Sequence, residues 1–250
     1  MVRYKMKDYK MIKNYRTGGN CKVLFCFPYA GGGASAYRDW IRALDNKVNI
    51  CPIQLPGREE RIIEKPYTDM YLLANNLADT IENIIGEKKC SFFGHSMGGK
   101  IAYETALELS RRGKNIERMF VSGCEAPHIP ITNPIFNLPD EEFKKEIISF
   151  EGTPKELCEH KELFDFFLPL LRGDFTLVET YQAKGKVPIP CPITALYGTE
   201  DREASFEEVI EWKNYTKASF DVNAVEGGHF FIKSNKVEVW NNILNKIKID

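Results

Sequence analysis

The sequence predicts an α/β fold with a mostly parallel central sheet flanked by helices. Short apolar runs alternate along the chain with longer stretches of helical periodicity, and the runs are mostly continuous. Continuous apolar runs are typical of strands buried on both faces of a parallel sheet. Alternation of strands and helices favours right-handed crossover connections. The six predicted strands are Val23–Phe27, Val48–Ile53, Cys90–Phe93, Met119–Ser122, Ile193–Tyr197 and Phe220–Val225.

Three helices are predicted between and after these runs. Asp69–Ile85 has apolar residues on one helical stripe. Gly99–Arg112 ends in two arginines followed by a glycine, which is a helix stop signal. Asn235–Ile249 places its apolar residues on one face. These helices are expected to cover the sheet.

One segment departs from the alternation. Between about residues 128 and 190 there is no convincing strand, and the stretch is longer than a connection requires. We expect a single domain over residues 1–250, with a helical lid subdomain over about residues 128–190 that covers the strand ends. A second small helical domain packed elsewhere is the alternative.

Composition excludes several classes of protein. The chain has 250 residues, with 34 basic and 35 acidic side chains. This balance excludes nucleic-acid binding driven by overall charge, and it leaves no polybasic membrane anchor. The excess positive charge lies in Met1–Arg16, which has six basic residues and one acid and no apolar signal-peptide core. We expect a cytoplasmic protein.

The seven cysteines are predicted to be buried thiols. Most lie in apolar runs and none forms C-x-x-C. A structural zinc site needs paired ligand spacings, and these are absent from the sequence. We expect no metal and no cofactor.

The strongest local motif is G-H-S-M-G at residues 94–98. It follows a predicted strand and precedes a predicted helix, which is the context of a nucleophile elbow. The motif predicts Ser96 as a catalytic nucleophile. An ordinary glycine-rich turn is the alternative.

A serine nucleophile needs a base, and the chain has four histidines. His95 lies inside the elbow, too close in sequence to reach the serine hydroxyl well, and His160 lies among charged residues. His229 follows the last predicted strand on a glycine-rich loop, as the serine–acid–histidine order requires. We predict His229 as the general base.

The acidic partner of the histidine should follow the preceding strand. Asp201 lies after Ile193–Tyr197 and is the predicted member, with Glu200 and Glu203 as close competitors. Its role would be to hold the imidazole tautomer and to stabilise the imidazolium.

Two backbone amides are needed for a developing oxyanion. The residue after the nucleophile, Met97, supplies one, and the loop F-P-Y-A-G-G-G at residues 27–33 should supply the other from Ala30 or Gly31. A phosphate-binding role for these glycines is excluded because no G-K-[ST] follows.

Taken together, these motifs resemble those of type II thioesterases, the stand-alone α/β-hydrolases that accompany nonribosomal peptide and polyketide synthases. The resemblance covers nearly the whole chain and includes segments without obvious chemistry. It rests on F-P-Y-A-G-G at 27–32, Q-L-P-G-R-E-E-R at 54–61, the elbow at 94–99, L-P-D-E-E-F at 138–143, G-T-P at 152–154, L-P-L-L-R at 168–172, D-F at 174–175, E-T-Y at 179–181, Y-G-T-E-D at 197–201 and G-G-H-F-F at 227–231. Tyr29 departs from the family, where many members have histidine.

The resemblance implies hydrolysis of acyl or aminoacyl thioesters on the phosphopantetheine arm of carrier proteins. It assigns Ser96, Asp201 and His229 as catalytic residues and the amides of Ala30 and Met97 as oxyanion donors. The expected partners are acyl or peptidyl carrier proteins and small acyl thioesters, the protein itself being a monomer. Contact of Arg58 or Arg61 with the partner is a further hypothesis. A product-releasing thioesterase, a general carboxylesterase and a non-catalytic binding protein of the same fold are the alternatives.

Overall fold

All six predicted runs form strands of one parallel sheet. The computed structural model describes residues 9–15, 22–44 and 47–247. The strand order is β2-β1-β3-β4-β5-β6, and every neighbouring pair is parallel. The α/β prediction is therefore confirmed. The strands are β1 Lys22–Phe27, β2 Val48–Pro52, β3 Cys90–His95, β4 Arg118–Ser122, β5 Ile193–Gly198 and β6 Phe220–Val225.

The strand order creates a crevice at one place on the sheet. From β1 the chain passes to β2 on one side and then to β3 on the other. Loops that leave the carboxyl ends of β1 and β3 diverge at this switch point, where open α/β sheets bind their ligands. The loop at residues 28–33 and the elbow at residues 94–98 are the two loops concerned.

Helices cover both faces of the sheet. Their bounds are α1 Arg38–Leu44, α2 Met70–Ile85, α3 Met97–Arg111, α4 Asp140–Ser149, α5 Lys155–Glu159, α6 Lys161–Glu179, α7 Phe206–Val209, α8 Phe231–Ser234 and α9 Lys236–Lys246. Short 3-10 helices occur at Tyr9–Met11, Ala34–Tyr37, Glu59–Arg61 and Ile210–Tyr215. Leu73 and Ile101 of α2 and α3 belong to the core on one face. Trp40 and Val239 of α1 and α9 belong to the core on the other.

The predicted helix bounds differ from the observed ones at their ends. The helix after the elbow begins at Met97 rather than Gly99, because the turn is completed within a single residue, Ser96. The last helix ends at Lys246, and residues 248–250 lie outside the described part of the chain.

Three helices, α4 to α6, lie between β4 and β5. Their apolar side chains, among them Phe143 and Phe164, form a separate cluster. Helix α6 is the longest of the three and contains Pro169 in its interior. Its C-terminal part leaves this cluster, since Leu177 belongs to the main core. We call residues 128–190 the insertion.

Part of the basic N-terminal segment lies beside the sheet. Ile12 forms an isolated antiparallel bridge with Ile53, and the amide of Gln54 donates to the carbonyl of Met11 at 2.8 Å. Residues 1–8 and 16, which hold most of the positive charge of this segment, lie outside the described residues.

Two further expectations concern the cysteines and the membrane. Five of the seven cysteines, Cys26, Cys51, Cys90, Cys124 and Cys191, are buried. Cys21 and the side chain of Cys158 lie outside what the structure describes. Across the described residues, every helix is too short or too polar to cross a lipid bilayer.

Asp69 caps α2, and its removal should destabilise the fold. Its Oδ1 accepts hydrogen bonds from the amides of Tyr71 at 2.9 Å and Leu72 at 3.0 Å. Asp69→Ala leaves both donors without this acceptor, so the free energy of unfolding should fall by about 1 kcal/mol, measured by urea denaturation. Asp69→Asn keeps an acceptor and should lose much less; an equal loss in both variants would contradict the capping role.

Candidate active site

Ser96 lies at the sharp turn between β3 and α3. Its backbone is in the left-handed region, with φ of +52°, an uncommon conformation for a residue with a side chain. Neighbouring backbone leaves no space for side chains two residues away. A Cβ on Gly94 would overlap Gly98, and one on Gly98 would overlap the carbonyl of Phe27. The turn therefore requires glycine at both positions and leaves the Ser96 side chain partly exposed.

His229 and Asp201 form a buried pair on the loops after β6 and β5. His229 Nδ1 lies 3.1 Å from Asp201 Oδ1 and 3.0 Å from Oδ2. The two side chains are 4% and 0% exposed. Asp201 Oδ1 also accepts the amides of Glu203 and Ala204, which fixes the carboxylate against its own loop.

The three candidate acids differ clearly in position. Asp201 contacts Nδ1 of the histidine, whereas Glu200 is exposed. Glu203 lies on the opposite side of the ring, with its Oε2 3.4 Å from His229 Nε2. The structure thus places His229 between two carboxylates, and only Asp201 is placed to set the tautomer.

The charges around His229 favour its protonated form. Burial of the imidazole opposes protonation, but the hydrogen bond to Asp201 and the negative charge of Glu203 outweigh it. The pKa of His229 therefore lies above its ordinary value. Desolvation in turn raises the pKa of the Glu203 carboxyl.

Ser96 and His229 line the same cavity. Within the described residues no hydrogen bond joins their side chains, and His229 Nε2 faces Glu203 instead. Hydrogen bonds of catalytic groups are often long before substrate binds, so this geometry is compatible with a serine–histidine pair.

The other histidines occupy different environments. His95 is fully buried, its Nδ1 lies 3.0 Å from Ser122 Oγ, and burial holds its pKa well below the ordinary value. His128 stacks on Tyr215, and His160 is exposed at the start of α6.

The loop after β1 has one amide that is engaged and one that is not. Gly31 N–H donates to Asp174 Oδ2 at 2.8 Å. Among the hydrogen bonds of the described residues, none uses the amide of Ala30 or of Met97. Of the two candidates that the sequence leaves open in this loop, Ala30 is the one with a donor available to a ligand.

Asp174 also forms a buried ion pair with Arg58. Arg58 donates to Asp174 Oδ1 at 2.7 Å and to Oδ2 at 3.0 Å, and the side chains are 3% and 2% exposed. The same guanidinium donates to the carbonyl of Gly32 at 2.7 Å. Asp174 belongs to α6 of the insertion, so the pair ties the insertion to the loop after β1.

The hypothesis that Arg58 or Arg61 contacts a partner is wrong. Both side chains are only 3% exposed. Arg61 donates to the carbonyl of Gln54 and to Glu64. The charged segment at residues 54–61 suggested solvated surface, and Glu59 and Glu60 are indeed exposed, but both arginines are buried and donate to backbone carbonyls and carboxylates.

Asp174 has no counterpart in the sequence prediction. The only signal was its place in D-F at residues 174–175, because nothing local marks a carboxylate in the middle of a helix as the partner of a residue 116 positions away.

A cavity of about 710 Å³ lies next to Ser96. The insertion contributes much of its wall, which is mainly apolar and also carries charged side chains from several elements. Lining residues include Met97, Ile129, Leu170, Leu171, Phe175 and Val178, together with Lys100, Glu125 and Glu179. In the described part of the chain, no three His, Cys, Asp or Glu side chains are grouped to hold a metal ion.

The chain is similar to known thioesterases over most of its length. A family model described as "Thioesterase domain" matches residues 22–247. Linear gramicidin dehydrogenase LgrE of Brevibacillus parabrevis is 39% identical over 87% of this chain and 84% of its own. Gramicidin S biosynthesis protein GrsT of Aneurinibacillus migulanus is 39% identical, over 86% of this chain and 85% of its own. Among solved structures, the type II thioesterase BorB of the borrelidin biosynthetic cluster is 30% identical, with a TM-score of 0.86. The match covers 98% of this chain and 100% of the BorB chain.

Replacing Glu203 should make His229 easier to deprotonate. The carboxylate faces Nε2 and favours the imidazolium, so Glu203→Gln should lower the pKa of His229, measured by NMR titration of its ring protons. Glu207→Gln removes an exposed charge on α7 and should leave that pKa unchanged. A pKa that stays the same or rises in Glu203→Gln would contradict the arrangement of the two carboxylates.

Proposed function

This chain belongs to the thioesterase family, and from that premise we propose that it edits carrier proteins of a nonribosomal peptide or polyketide synthase. In this role it would hydrolyse misprimed or stalled acyl and aminoacyl thioesters on the phosphopantetheine arm. One observation carries the proposal. Ser96, His229, Ala30 and Met97 line one mainly apolar cavity, and within the described residues the amides of Ala30 and Met97 donate to no other group.

The proposed reaction proceeds through an acyl-serine. Ser96 Oγ attacks the thioester carbonyl carbon while its proton passes to His229 Nε2. The amides of Ala30 and Met97 donate to the oxyanion, and Asp201 stabilises the imidazolium from Nδ1. The intermediate collapses, the C–S bond breaks, and the thiolate takes the proton from His229. Water then attacks the acyl-serine with His229 as base, and release of the carboxylic acid restores Ser96.

The cavity supports editing rather than release of a finished product. Its volume of about 710 Å³ and its apolar wall suit a small acyl group better than an extended peptidyl chain. The carrier protein that presents the arm is the proposed partner. A cytoplasmic location and a monomeric state remain predictions from the sequence.

The loop after β1 argues against a nucleotide cofactor. The name of LgrE describes a dehydrogenase, and dehydrogenases commonly bind a nicotinamide dinucleotide through glycine amides after the first strand. Here the Gly31 amide is already bonded to Asp174 Oδ2 and is not available to a pyrophosphate. We therefore propose that the enzyme needs no cofactor other than the pantetheine arm of its substrate.

Kinetics on matched substrates test the function. We expect kcat/KM to be highest for acetyl carrier protein, lower for acetyl-pantetheine and lowest for p-nitrophenyl acetate, because only the first presents both arm and partner. Acetyl carrier protein should also be hydrolysed faster than the same carrier loaded with a full-length peptidyl chain. A preference for the oxygen ester would indicate a general carboxylesterase, and a preference for the full-length chain would indicate product release.

Loss of the proposed nucleophile should abolish turnover. Ser96→Ala removes the only atom that forms the acyl-enzyme, so kcat should fall by at least about 10⁴-fold. Circular dichroism and a thermal melt check that the variant is folded. Turnover within tenfold of the unsubstituted enzyme would contradict the assignment of Ser96.

The Arg58–Asp174 pair should affect kcat more than KM. It holds Gly31 and Gly32, and therefore the direction of the Ala30 amide, so Arg58→Lys and Asp174→Asn should each lower kcat by about 10- to 100-fold. The rates are normalised to active sites titrated with a fluorophosphonate, which corrects for unfolded protein. Arg112→Lys and Asp79→Asn make the same changes in an ion pair between α3 and α2 and should leave kcat unchanged. Lower thermal stability with unchanged kcat in the Arg58 and Asp174 variants would contradict the positioning role.

A further inference from the structure

One charged pair in the cavity wall forms no hydrogen bond, within the described residues, to the groups of the proposed reaction, although the charge of Glu125 contributes to the raised pKa of His229. Lys100 lies in the first turn of α3, four residues after Ser96, and Glu125 follows β4. Lys100 Nζ donates to Glu125 Oε1 at 2.5 Å, and both residues line the cavity. The Lys100 side chain is 3% exposed and that of Glu125 is 21% exposed.

Burying this pair is costly. Removing two charges from water carries a penalty of several kcal/mol per ion, and their attraction offsets it only when further hydrogen bonds satisfy both groups. An ammonium has three donors, and within the described residues the only hydrogen bond of Lys100 Nζ goes to Glu125. A carboxylate can accept about four hydrogen bonds, and the Glu125 side chain accepts only this one there. Both groups therefore keep unused hydrogen-bonding capacity beside the cavity.

The pair lies on the path that an acyl group would follow. With the carbonyl oxygen at the amides of Ala30 and Met97, the chain of an acyl-serine must extend into the cavity. Met97 and Lys100 are three residues apart and share one face of α3. Lys100 follows Ser96 by about 6 Å along the helix axis, and both residues line the cavity. This rise is comparable with the length of about four to five bonds of an extended acyl chain.

We infer that Lys100 and Glu125 form a polar subsite for the acyl group, selective for acyl chains with a hydroxyl or amide at the third to fifth atom from the thioester carbonyl. This inference rests on the proposed function and specifies its substrate class. A hydroxyl or amide can donate to Glu125 and accept from Lys100 at the same time. A plain alkyl chain would exclude water from both charges and satisfy neither, and sites with buried polar groups reject such analogues for this reason.

A purely structural role of the pair makes a different prediction. The ion pair also joins α3 to the loop after β4, so its loss could loosen the site. Such loosening would lower the turnover of every substrate alike. The ratio of kcat/KM between polar and alkyl substrates therefore distinguishes recognition of the acyl chain by the pair from a structural role of the pair.

The test uses three pantetheine thioesters of similar length: hexanoyl, 3-hydroxyhexanoyl and N-acetyl-β-alanyl. The unsubstituted enzyme should favour the two polar substrates by about tenfold or more in kcat/KM, which corresponds to about 1.4 kcal/mol. The double variant Lys100→Met/Glu125→Met removes both charges and their hydrogen-bonding groups with little change in size, and its ratio should approach one. Lys22→Met/Glu117→Met makes the same changes in another Lys–Glu pair, outside the cavity, and should keep the ratio. A ratio near one in the unsubstituted enzyme, or a ratio that survives in the double variant, would overturn the inference.

A binding measurement keeps the subsite separate from the chemistry. In the Ser96→Ala background, calorimetry should show tighter binding of the polar thioesters, and the preference should vanish when Lys100 and Glu125 are also replaced. Equal binding of all three thioesters would overturn the inference. Absence of hydrolysis of every thioester by the unsubstituted enzyme would contradict the proposed function alone, because the binding preference is measured without turnover.

Discussion

The geometry of the site depends on one buried carboxylate. Asp174 accepts two hydrogen bonds from Arg58 and one from the amide of Gly31, and Arg58 in turn binds the carbonyl of Gly32. Three segments far apart in sequence are thus held by two side chains that are almost inaccessible to water. Removing either partner would leave a buried charge without compensation, which typically costs about 3–5 kcal/mol, so the three segments form a single unit. Because Gly31 is held in this way, the adjacent amide of Ala30 is left for a ligand.

The sequence correctly predicted the elements whose signals lie within a few neighbouring residues. Continuous apolar runs found all six strands, and the glycines around Ser96 found the turn, because each signal lies within a few residues. The acid was harder to choose, since Glu200, Asp201 and Glu203 share one loop and sequence spacing cannot show which of them reaches the imidazole. Their positions separate them: one is exposed, one contacts Nδ1 and one faces Nε2.

Long-range pairing explains what the sequence did not reveal. The segment around Arg58 is rich in charge and suggested an exposed surface, yet its burial depends on a partner 116 residues away. Lys100 was equally hidden, because a lysine in a helix that follows a strand is usually solvated. Its burial follows from the packing of α3 between the sheet and the insertion. The ion pair with Glu125 offsets part of the free-energy cost of burying the ammonium. The sequence did not predict these ion pairs because each charged side chain could be solvated in its own segment. Only the folded chain brings the two partners together.

Helix α6 connects the cavity wall to the loop after β1. Its first turns pack within the insertion through Phe164, while its later turns bring Asp174 to Gly31 and Leu177 into the main core. Pro169 lies between the two parts and cannot donate a backbone hydrogen bond. Helix α6 therefore lacks one helical hydrogen bond at the point where it passes from the insertion towards the main core. Leu170 and Leu171 follow directly and line the cavity. An acyl group held against these leucines, as proposed, would therefore contact the same helix that holds Asp174. Its fit in the cavity would then be coupled through α6 to the direction of the proposed oxyanion amides.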